Sequence, residues 1–144
     1  MGVIYGFKLV EGPCVVREYT SAATTTYDAG EVVTVSSGSV AIGAHDACFG
    51  VSLKDAGGIT TTTPIILITP EQIWECGYNG TTAATMIGST YLVTFTTGAQ
   101  CLSSTTSTPT VTVVGLNPND GAKAYGRLYV KFLASNCTAT GLAL

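Results

Sequence analysis

The chain has 144 residues, of which 46% are hydrophobic and only 10% are charged, and its formal net charge is -3. This length is typical of a single domain that buries about two thirds of its unfolded surface. The basic residues are few and form no run, which argues against nucleic-acid binding because phosphate neutralisation needs clustered cations. No apolar run approaches the ~20 residues of a membrane-spanning helix, so no membrane association is predicted.

The low charge also shapes the expected surface. Charged residues usually make up ~25% of a soluble domain, so this surface must consist largely of Thr, Ser, Gly and Ala. Such a composition favours a chain whose faces are covered by other subunits; the alternative is a secreted β-domain with a hydroxyl-rich surface. Residues 1–8 lack the basic region and long apolar core of a signal peptide, so no export is predicted.

The N-terminal segment, residues 1–28, differs from the rest of the chain. Residues 3–10 and 15–19 have the pattern of extended strands, and a polar run at 20–26 follows them. A segment too polar to form its own core is often ordered by lying on another surface. We therefore predict an extended N-terminal arm, which lies either on a neighbouring subunit or on its own chain.

From residue 29 onward the pattern is that of β-strands. Apolar residues alternate on either side of a turn at 36–38, which predicts a hairpin over 33–42, and the next strand covers 48–53. Residues 65–68 form a continuous apolar run between two prolines, as expected for a strand that is buried on both faces. These strands belong to a predicted β-domain at 29–134.

Residues 70–76 allow two interpretations. Thr69 is a suitable N-cap and Pro70 a suitable first residue for one helical turn, whereas a strand that continues from 65–68 is the competing prediction. Later strands are predicted at 91–95, 110–114 and 126–133, with a Ser/Thr loop at 101–109. The tail at 135–144 has little pattern, which is typical of a segment that is mobile or docked on a neighbour.

Two Asp/Gly turns, within 50–58 and 115–121, follow similar strand-like runs. They indicate two degenerate copies of one unit: strand, turn, strand, Asp/Gly turn, strand. Short strands at this spacing predict an all-β fold, a small barrel or sandwich. Its edges carry few charged residues, and pairing with another subunit would protect them.

The residues with catalytic potential do not form a convincing site. His45 and Asp46 are adjacent but have no well-placed nucleophile, and a surface loop is the favoured interpretation. Glu71 and Glu75 would share one face of a helix, where a carboxylate pair of the glycosidase kind is conceivable. Asp55 and Asp120 close the two Asp/Gly turns without the further oxygens of a calcium loop, and no Gly-Lys phosphate loop occurs.

The aromatic and sulfur residues are predicted to be structural. Trp74 and Tyr78 together could form a sugar-stacking platform, but burial in the core or at an interface is favoured because an apolar strand precedes them. The cysteines show no Cys-x-x-Cys spacing, so we expect buried, reduced thiols rather than a zinc or redox site. The five cysteines are Cys14, Cys48, Cys76, Cys101 and Cys137. No catalytic, cofactor-binding or metal site is predicted.

Three glycine-based strand motifs carry a resemblance to a known family. They are Gly-Glu-Val-Val at 30–33, Phe-Gly-Val-Ser-Leu at 49–53 and Gly-Arg-Leu-Tyr-Val at 126–130. Together they resemble the small tailed-phage capsid decoration (cement) proteins. In that family a Gly-acid-x-Val strand opens the domain, a Gly-Val-Ala/Ser strand follows and a Gly-x-x-x-Val strand closes it. The chain departs from the family in its N-terminal arm, its cysteines and the loop at 101–109.

The resemblance implies a β-barrel or β-tulip-like domain on the outer surface of an icosahedral head, commonly as trimers at local threefold positions. It implies a non-enzymatic virion protein that is made in the host cytoplasm and stabilises the capsid. The implied partners are the major capsid protein and further copies of the chain. Contacts are expected from residues 1–28 and from strand edges near 65–68 or 128–132, and deletion of residues 1–20 is expected to abolish binding without unfolding the domain.

Two other functions are weighed beside this one. A carbohydrate- or host-surface-binding module of a phage fibre, a tail or a secreted protein would use exposed aromatic rings for stacking. The available rings are those of Trp74, Tyr78, Tyr91 and Tyr125. A small hydrolase would use one of the two polar pairs described above, and it is the least favoured function.

Overall fold

The computed structural model describes residues 3–22 and 24–139. It is nearly all β, with 45% strand and 4% helix, and its antiparallel sheets form a small sandwich-like fold, so the predicted all-β class is confirmed. Within the described ranges neither sheet closes into a barrel. The sandwich is therefore the better of the two predicted architectures.

In chain order the strands of the described residues are β1 (Phe7–Glu11), β2 (Val16–Thr20), β3 (Thr26–Tyr27), β4 (Val32–Ser36), β5 (Ser39–Ile42), β6 (Gly50–Ser52), β7 (Ala56–Gly57), β8 (Thr62–Leu67), β9 (Ile73–Gly77), β10 (Thr90–Tyr91), β11 (Val111–Leu116) and β12 (Arg127–Phe132). Sheet one has the order β1-β9-β12-β11-β10, and sheet two has the order β2-β8-β6-β4-β5. A two-stranded sheet pairs β3 with β7, and two single 3-10 turns, Ala84–Met86 and Ala134–Asn136, complete the described structure.

The central strands of sheet two are buried on both faces. Val32, Val51 and Ile66 pack into the main core together with the inner side chains of sheet one. The residues next to two of them in sequence, Val33 and Ile65, point to the opposite face, where they join a second apolar cluster. Because successive side chains of a strand point to opposite faces, burial of both faces requires a continuous apolar run. The prediction that residues 65–68 are buried on both sides is confirmed.

One long antiparallel ribbon joins the two sheets along their common side. The chain from β1 to β2 runs beside the chain from β8 to β9, so that Leu9 is opposite Trp74 in sheet one and Val16 is opposite Ile66 in sheet two. The pairing register shifts by one residue between Leu9 and Glu11. Strands that pass from one sheet to the other turn the corner at such irregularities.

The side-chain amide of Gln72 holds this corner. Its Nε2 donates to the carbonyl oxygens of Pro13, at 2.7 Å, and Leu67, at 2.9 Å. Its Oε1 accepts from the backbone N–H of Thr69, at 2.8 Å, and from Trp74 Nε1, at 3.1 Å. Gln72 is only 1% exposed, so these four bonds satisfy its own buried amide, and three of them also satisfy buried partners, at Leu67, Thr69 and Trp74.

The predicted N-terminal arm is extended, but it pairs with its own chain. Its described part supplies β1 and β2, one edge strand for each sheet, together with β3. Phe7 is buried against the ring of Phe132, with their centroids 5.4 Å apart. Removal of residues 1–20 would delete two strands and a core side chain, which argues against the expectation that this deletion leaves the domain folded.

The predicted helical turn at 70–76 is also wrong. A tight turn, in which Gln72 N donates to Thr69 O at 3.3 Å, leads directly into β9. Strand β9 lies between β1 and β12, and Trp74 is fully buried there. The competing prediction, a strand that continues from 65–68, is correct only in part: β8 ends at Leu67, and a separate strand, β9, begins at Ile73 in the other sheet. Pairing on both sides of β9 outweighs the local preference of Pro70 for a helix start.

The predicted hairpin over 33–42 is confirmed as β4 and β5. Ser37 and Gly38 connect the strands with φ values of 51° and 81°, the two positive angles of a type I′ turn. The strand predicted at 91–95 is interrupted: Leu92 and Thr94 exchange backbone hydrogen bonds with the segment 101–105, which was predicted as a loop. Pairing across the chain therefore orders part of the Ser/Thr-rich segment.

The two predicted repeat units lie in different sheets. The first contributes β4, β5, β6 and β8 to sheet two, whereas the second contributes β10, β11 and β12 to sheet one, with a different strand order. Their common origin stays a prediction. The described part of the predicted tail docks on its own chain: Cys137 forms a parallel bridge with Cys48, and Ala139 is buried beside Tyr27 and Phe49. Residues 140–144 lie outside the described residues.

Replacing Gln72 with Ala should destabilise the domain strongly. Two buried donors and the buried carbonyl of Leu67 would lose their partner at once, together with the carbonyl of the exposed Pro13, which we expect to lower the free energy of unfolding by about 3 kcal/mol. Urea unfolding followed by the fluorescence of Trp74 measures this change. The matched control is the exposed neighbour Glu71→Ala, for which we expect a change below about 0.5 kcal/mol; equal effects of the two substitutions would contradict the role of the amide.

Candidate interaction surface

The two polar pairs chosen from the sequence do not form sites. His45 and Asp46 occupy a turn between β5 and β6, with Asp46 exposed, as the loop interpretation predicts. Glu71 is exposed in the turn before β9, whereas Glu75 lies within β9 and accepts a hydrogen bond from Asn117 Nδ2 at 2.7 Å. Because residues 71–75 are not helical, the two carboxylates do not share the predicted helix face.

Asp120 and Arg127 form a structural ion pair at the end of sheet one. Asp120 accepts from Arg127 Nε at 2.8 Å, from its Nη2 at 3.1 Å and from its backbone N–H at 2.9 Å. These hydrogen bonds hold the pKa of Asp120 well below its usual range, and the charge of Lys123, 3.5 Å away, acts in the same direction. The pair closes the second Asp/Gly turn, and all of its oxygens are used within the chain.

The aromatic pair is structural as well. Trp74 is fully buried, and Tyr78 is 8% exposed. Their burial agrees with the favoured interpretation and leaves no stacking platform at these two residues. Of the other tyrosines considered, Tyr125 is 39% exposed, in a left-handed conformation with φ of 57°.

The cysteines fit the thiol prediction, except that one of them is exposed. Cys48, Cys76 and Cys101 are buried thiols, and burial raises the pKa of each. Burial also raises the pKa of Cys137 to about 11. Cys14 lies exposed at the corner between β1 and β2. Thiols with raised pKa values are poor nucleophiles, so none of these four buried groups indicates covalent catalysis.

Among the described residues, no group of three or more His, Cys, Asp or Glu side chains could hold a metal ion. Likewise, no helix in the described part of the chain is both long and apolar enough to cross a membrane. Two clefts lie on either side of the segment that precedes β1. The larger, about 180 Å³, includes Tyr5, Lys8, Glu75 and Arg127 in its lining, and the smaller, about 120 Å³, includes Asp28 and Glu31.

Two buried polar side chains that the sequence did not single out anchor the start of β1 and β4. The side chain of Gln100 bonds both backbone groups of Val32, as a neighbouring strand would. Gln100 Oε1 accepts from Val32 N–H at 2.6 Å, and Gln100 Nε2 donates to Val32 O at 3.0 Å. Glu31, 2% exposed, accepts one backbone N–H on each carboxylate oxygen, from Asp28 and from Gly98, both at 2.8 Å. Desolvation of Glu31 raises its pKa above the usual value, although these hydrogen bonds oppose the rise.

The exposed large hydrophobic side chains concentrate at the N-terminal end of the chain. Among the described residues, four of them lie between positions 4 and 16, on or beside the two edge strands of the ribbon. They are Ile4, Tyr5, Val10 and Val16, which are 44%, 53%, 46% and 42% exposed. Isolated exposed apolar residues are ordinary, but several within one short segment that includes two edge strands indicate an interaction surface.

Comparisons with known proteins identified no relative of this chain. No protein-family model, no curated protein and no solved structure matches the chain. The N-terminal edge, which comprises the segment before β1 together with β1 and β2, is therefore the candidate functional surface on the strength of its own exposure, burial and pairing.

Replacing Glu31 with Gln should lower the free energy of unfolding by about 1–3 kcal/mol, because an amide offers one acceptor where the two backbone N–H groups need two. The effect should also depend on pH. A carboxyl group with a raised pKa in the folded state costs stability when it is ionised, and this cost disappears as the pH falls through the folded-state pKa. The wild-type chain should therefore gain stability relative to the variant between pH 7 and pH 5.

Urea unfolding of both proteins at the two pH values tests this prediction. Glutamine does not titrate, so the variant is its own reference for all other groups. An equal difference in the free energy of unfolding at pH 7 and pH 5 would contradict a raised pKa at Glu31.

Proposed function

We propose that this chain is a non-enzymatic structural virion protein, a capsid decoration or cement protein that binds the outer surface of an icosahedral phage head and stabilises it. The observation that carries the proposal is the N-terminal edge, where exposed apolar side chains follow two strands that each have one unpaired side. The glycine-based strand motifs at 30–33, 49–53 and 126–130 also support it, and the all-β class is compatible with it.

The proposed partners are the major capsid protein and further copies of this chain, as a homotrimer. A stable interface of this kind buries about 1,600 Å² in total, which requires an extended contact rather than a single pocket. The ribbon from β1 to β2 offers such an extended contact, since residues 7–20 run along one whole side of the sandwich. The low overall charge is in keeping with a surface that is covered in the assembled particle.

The alternative, a carbohydrate- or host-surface-binding module, has less support. Sugar stacking needs exposed aromatic faces. Trp74 and Tyr78, the two rings closest in sequence, are buried, and Tyr125 is the exposed ring that remains of the four considered. We therefore do not propose the carbohydrate- or host-surface-binding module as a second function.

Co-sedimentation with expanded, DNA-free heads of the phage that encodes the chain tests the proposal. We expect the purified protein to move with the heads through a sucrose gradient and to raise the temperature at which they open. The deletion of residues 1–20 is not a clean variant because it removes two strands. The double substitution Val10→Lys and Val16→Lys keeps both strands but places charge on the exposed face, so binding should weaken at least tenfold. Absence of wild-type binding would contradict the function.

Light scattering of the purified chain tests the proposed homotrimer. We expect a mass of three chains that persists on dilution, because the apolar edge residues would be covered within the assembly. The double lysine variant is the matched control for involvement of the N-terminal edge. A monomeric mass of the wild-type chain at every concentration would contradict a preformed trimer.

A further inference from the structure

The backbone of β2 alternates between groups that are paired and groups that are open. Val15 O accepts from Leu67 N at 2.9 Å just before β2, and Ser21 N donates to Thr61 O at 2.8 Å just after it. In an antiparallel pair every second residue bonds the partner strand, so the intervening odd residues, Arg17 and Tyr19, bond β8.

The even residues of β2 therefore direct their backbone groups away from the sheet. The N–H groups of Val16 and Glu18 lie about 6.8 Å apart on the outer side of β2, twice the rise per residue of a strand. The end of β2 is different, because the chain there runs beside β5, where Ser21 bridges Val40. Arg17 Nη1 donates a hydrogen bond to Val16 O at 3.2 Å in an exposed position, which agrees with a Val16 carbonyl that faces away from β8. The residue opposite Glu18 is Pro64, which has no N–H. Proline is accepted at this position of β8 because Glu18 and Pro64 form no backbone hydrogen bond with each other.

We infer that this open edge of β2 accepts an extended segment of the capsid subunit as an additional strand of sheet two. The inference rests on the proposed function and specifies how the contact is made. Backbone hydrogen bonds would supply the binding, and the side chains beside them would supply the specificity. Val16, which lies opposite the buried Ile66, would extend the apolar surface of the sheet onto the incoming strand.

The other strand edges in the described residues are less suitable. The edge of β5 is partly covered, because Ser21 bridges Val40 and Ala22 N donates to Val40 O at 2.8 Å. At the start of β1, the outward N–H of Phe7 already donates to Gly30 O at 2.7 Å. Strand β10 has only two residues. Strand β2 itself meets β5 only at its C-terminal end, which leaves Val16 and Glu18 on the uncovered part of its edge.

A second copy of β2 is disfavoured at this edge in two of the possible registers. A two-fold antiparallel pair centred on Glu18 would place two carboxylates directly opposite each other, and one centred on Arg17 would do the same with two guanidinium groups. Like charges in direct opposition destabilise strand pairs. A strand of another chain with complementary residues opposite Arg17 and Glu18 avoids this repulsion, and it is the occupant that the proposed function supplies.

The backbone contact can be separated from the side-chain contact at Glu18. Glu18→Pro removes an outward N–H that is not needed for pairing with β8, and it places a ring where an incoming strand would lie. The fold itself should tolerate the substitution, because proline is accepted in edge strands. Glu18→Gln removes the charge and keeps the N–H. We expect Glu18→Pro to reduce co-sedimentation with the heads at least tenfold, and Glu18→Gln to bind within about twofold of wild type. Equal binding by wild type and Glu18→Pro would overturn the inference and leave the proposed function standing.

Two further measurements cover the remaining cases. If Glu18→Pro does not fold, hydrogen exchange of the wild-type chain over residues 15–21 replaces it. Protection of these residues on head binding is expected, and unchanged exchange would overturn the inference.

If the wild-type chain does not bind heads, the proposed function fails by itself. Overlapping twelve-residue peptides of the major capsid protein then test the edge: peptides that bind wild type and Glu18→Gln but not Glu18→Pro support it, and no binding overturns it.

Discussion

The hydrogen bonds of one buried amide determine how the two sheets of this protein are joined. Gln72 contacts both strands of the ribbon at the point where the ribbon leaves one sheet for the other, and it also holds the indole of Trp74 in the main core. Backbone groups at such a corner lose their strand partners, and a side chain with two donors and two acceptors replaces them. The position of the N-terminal edge strands follows from this corner.

A second polar cluster secures the far end of the same strands. Gln100 imitates a strand partner for Val32, and its own carbonyl accepts from Gly6 N at 2.9 Å, directly before β1. Glu31 joins the turn at Asp28 to the loop at Gly98 through one carboxylate. The segment from Gly6 to Pro13, which contains β1, is therefore held at both ends by buried polar side chains or their backbone, and β2 follows directly after it.

The fold was largely predictable, and the surface was predictable only in part. Period-two patterns and turn residues identified most of the strands, because local sterics and burial act on neighbouring residues. The interval 70–76 was ambiguous, because Pro70 favours a helix start and only the pairing of Trp74 with both neighbouring strands decides for a strand. The roles of Glu31, Gln72 and Gln100 had no signal in the sequence, because isolated polar residues look the same whether they are buried or exposed.

By itself, the sequence determined the all-β class, the doubly buried strand at 65–68, the turn at 36–38 and the burial of Trp74, because each depends on side-chain alternation or on φ preferences within a few residues. Only the tertiary structure decided that residues 7–20 belong to both sheets and that Val16 and Glu18 direct their backbone groups outward. Which side of a strand is paired depends on partners that are about 50 residues away along the chain. No local pattern carries that information.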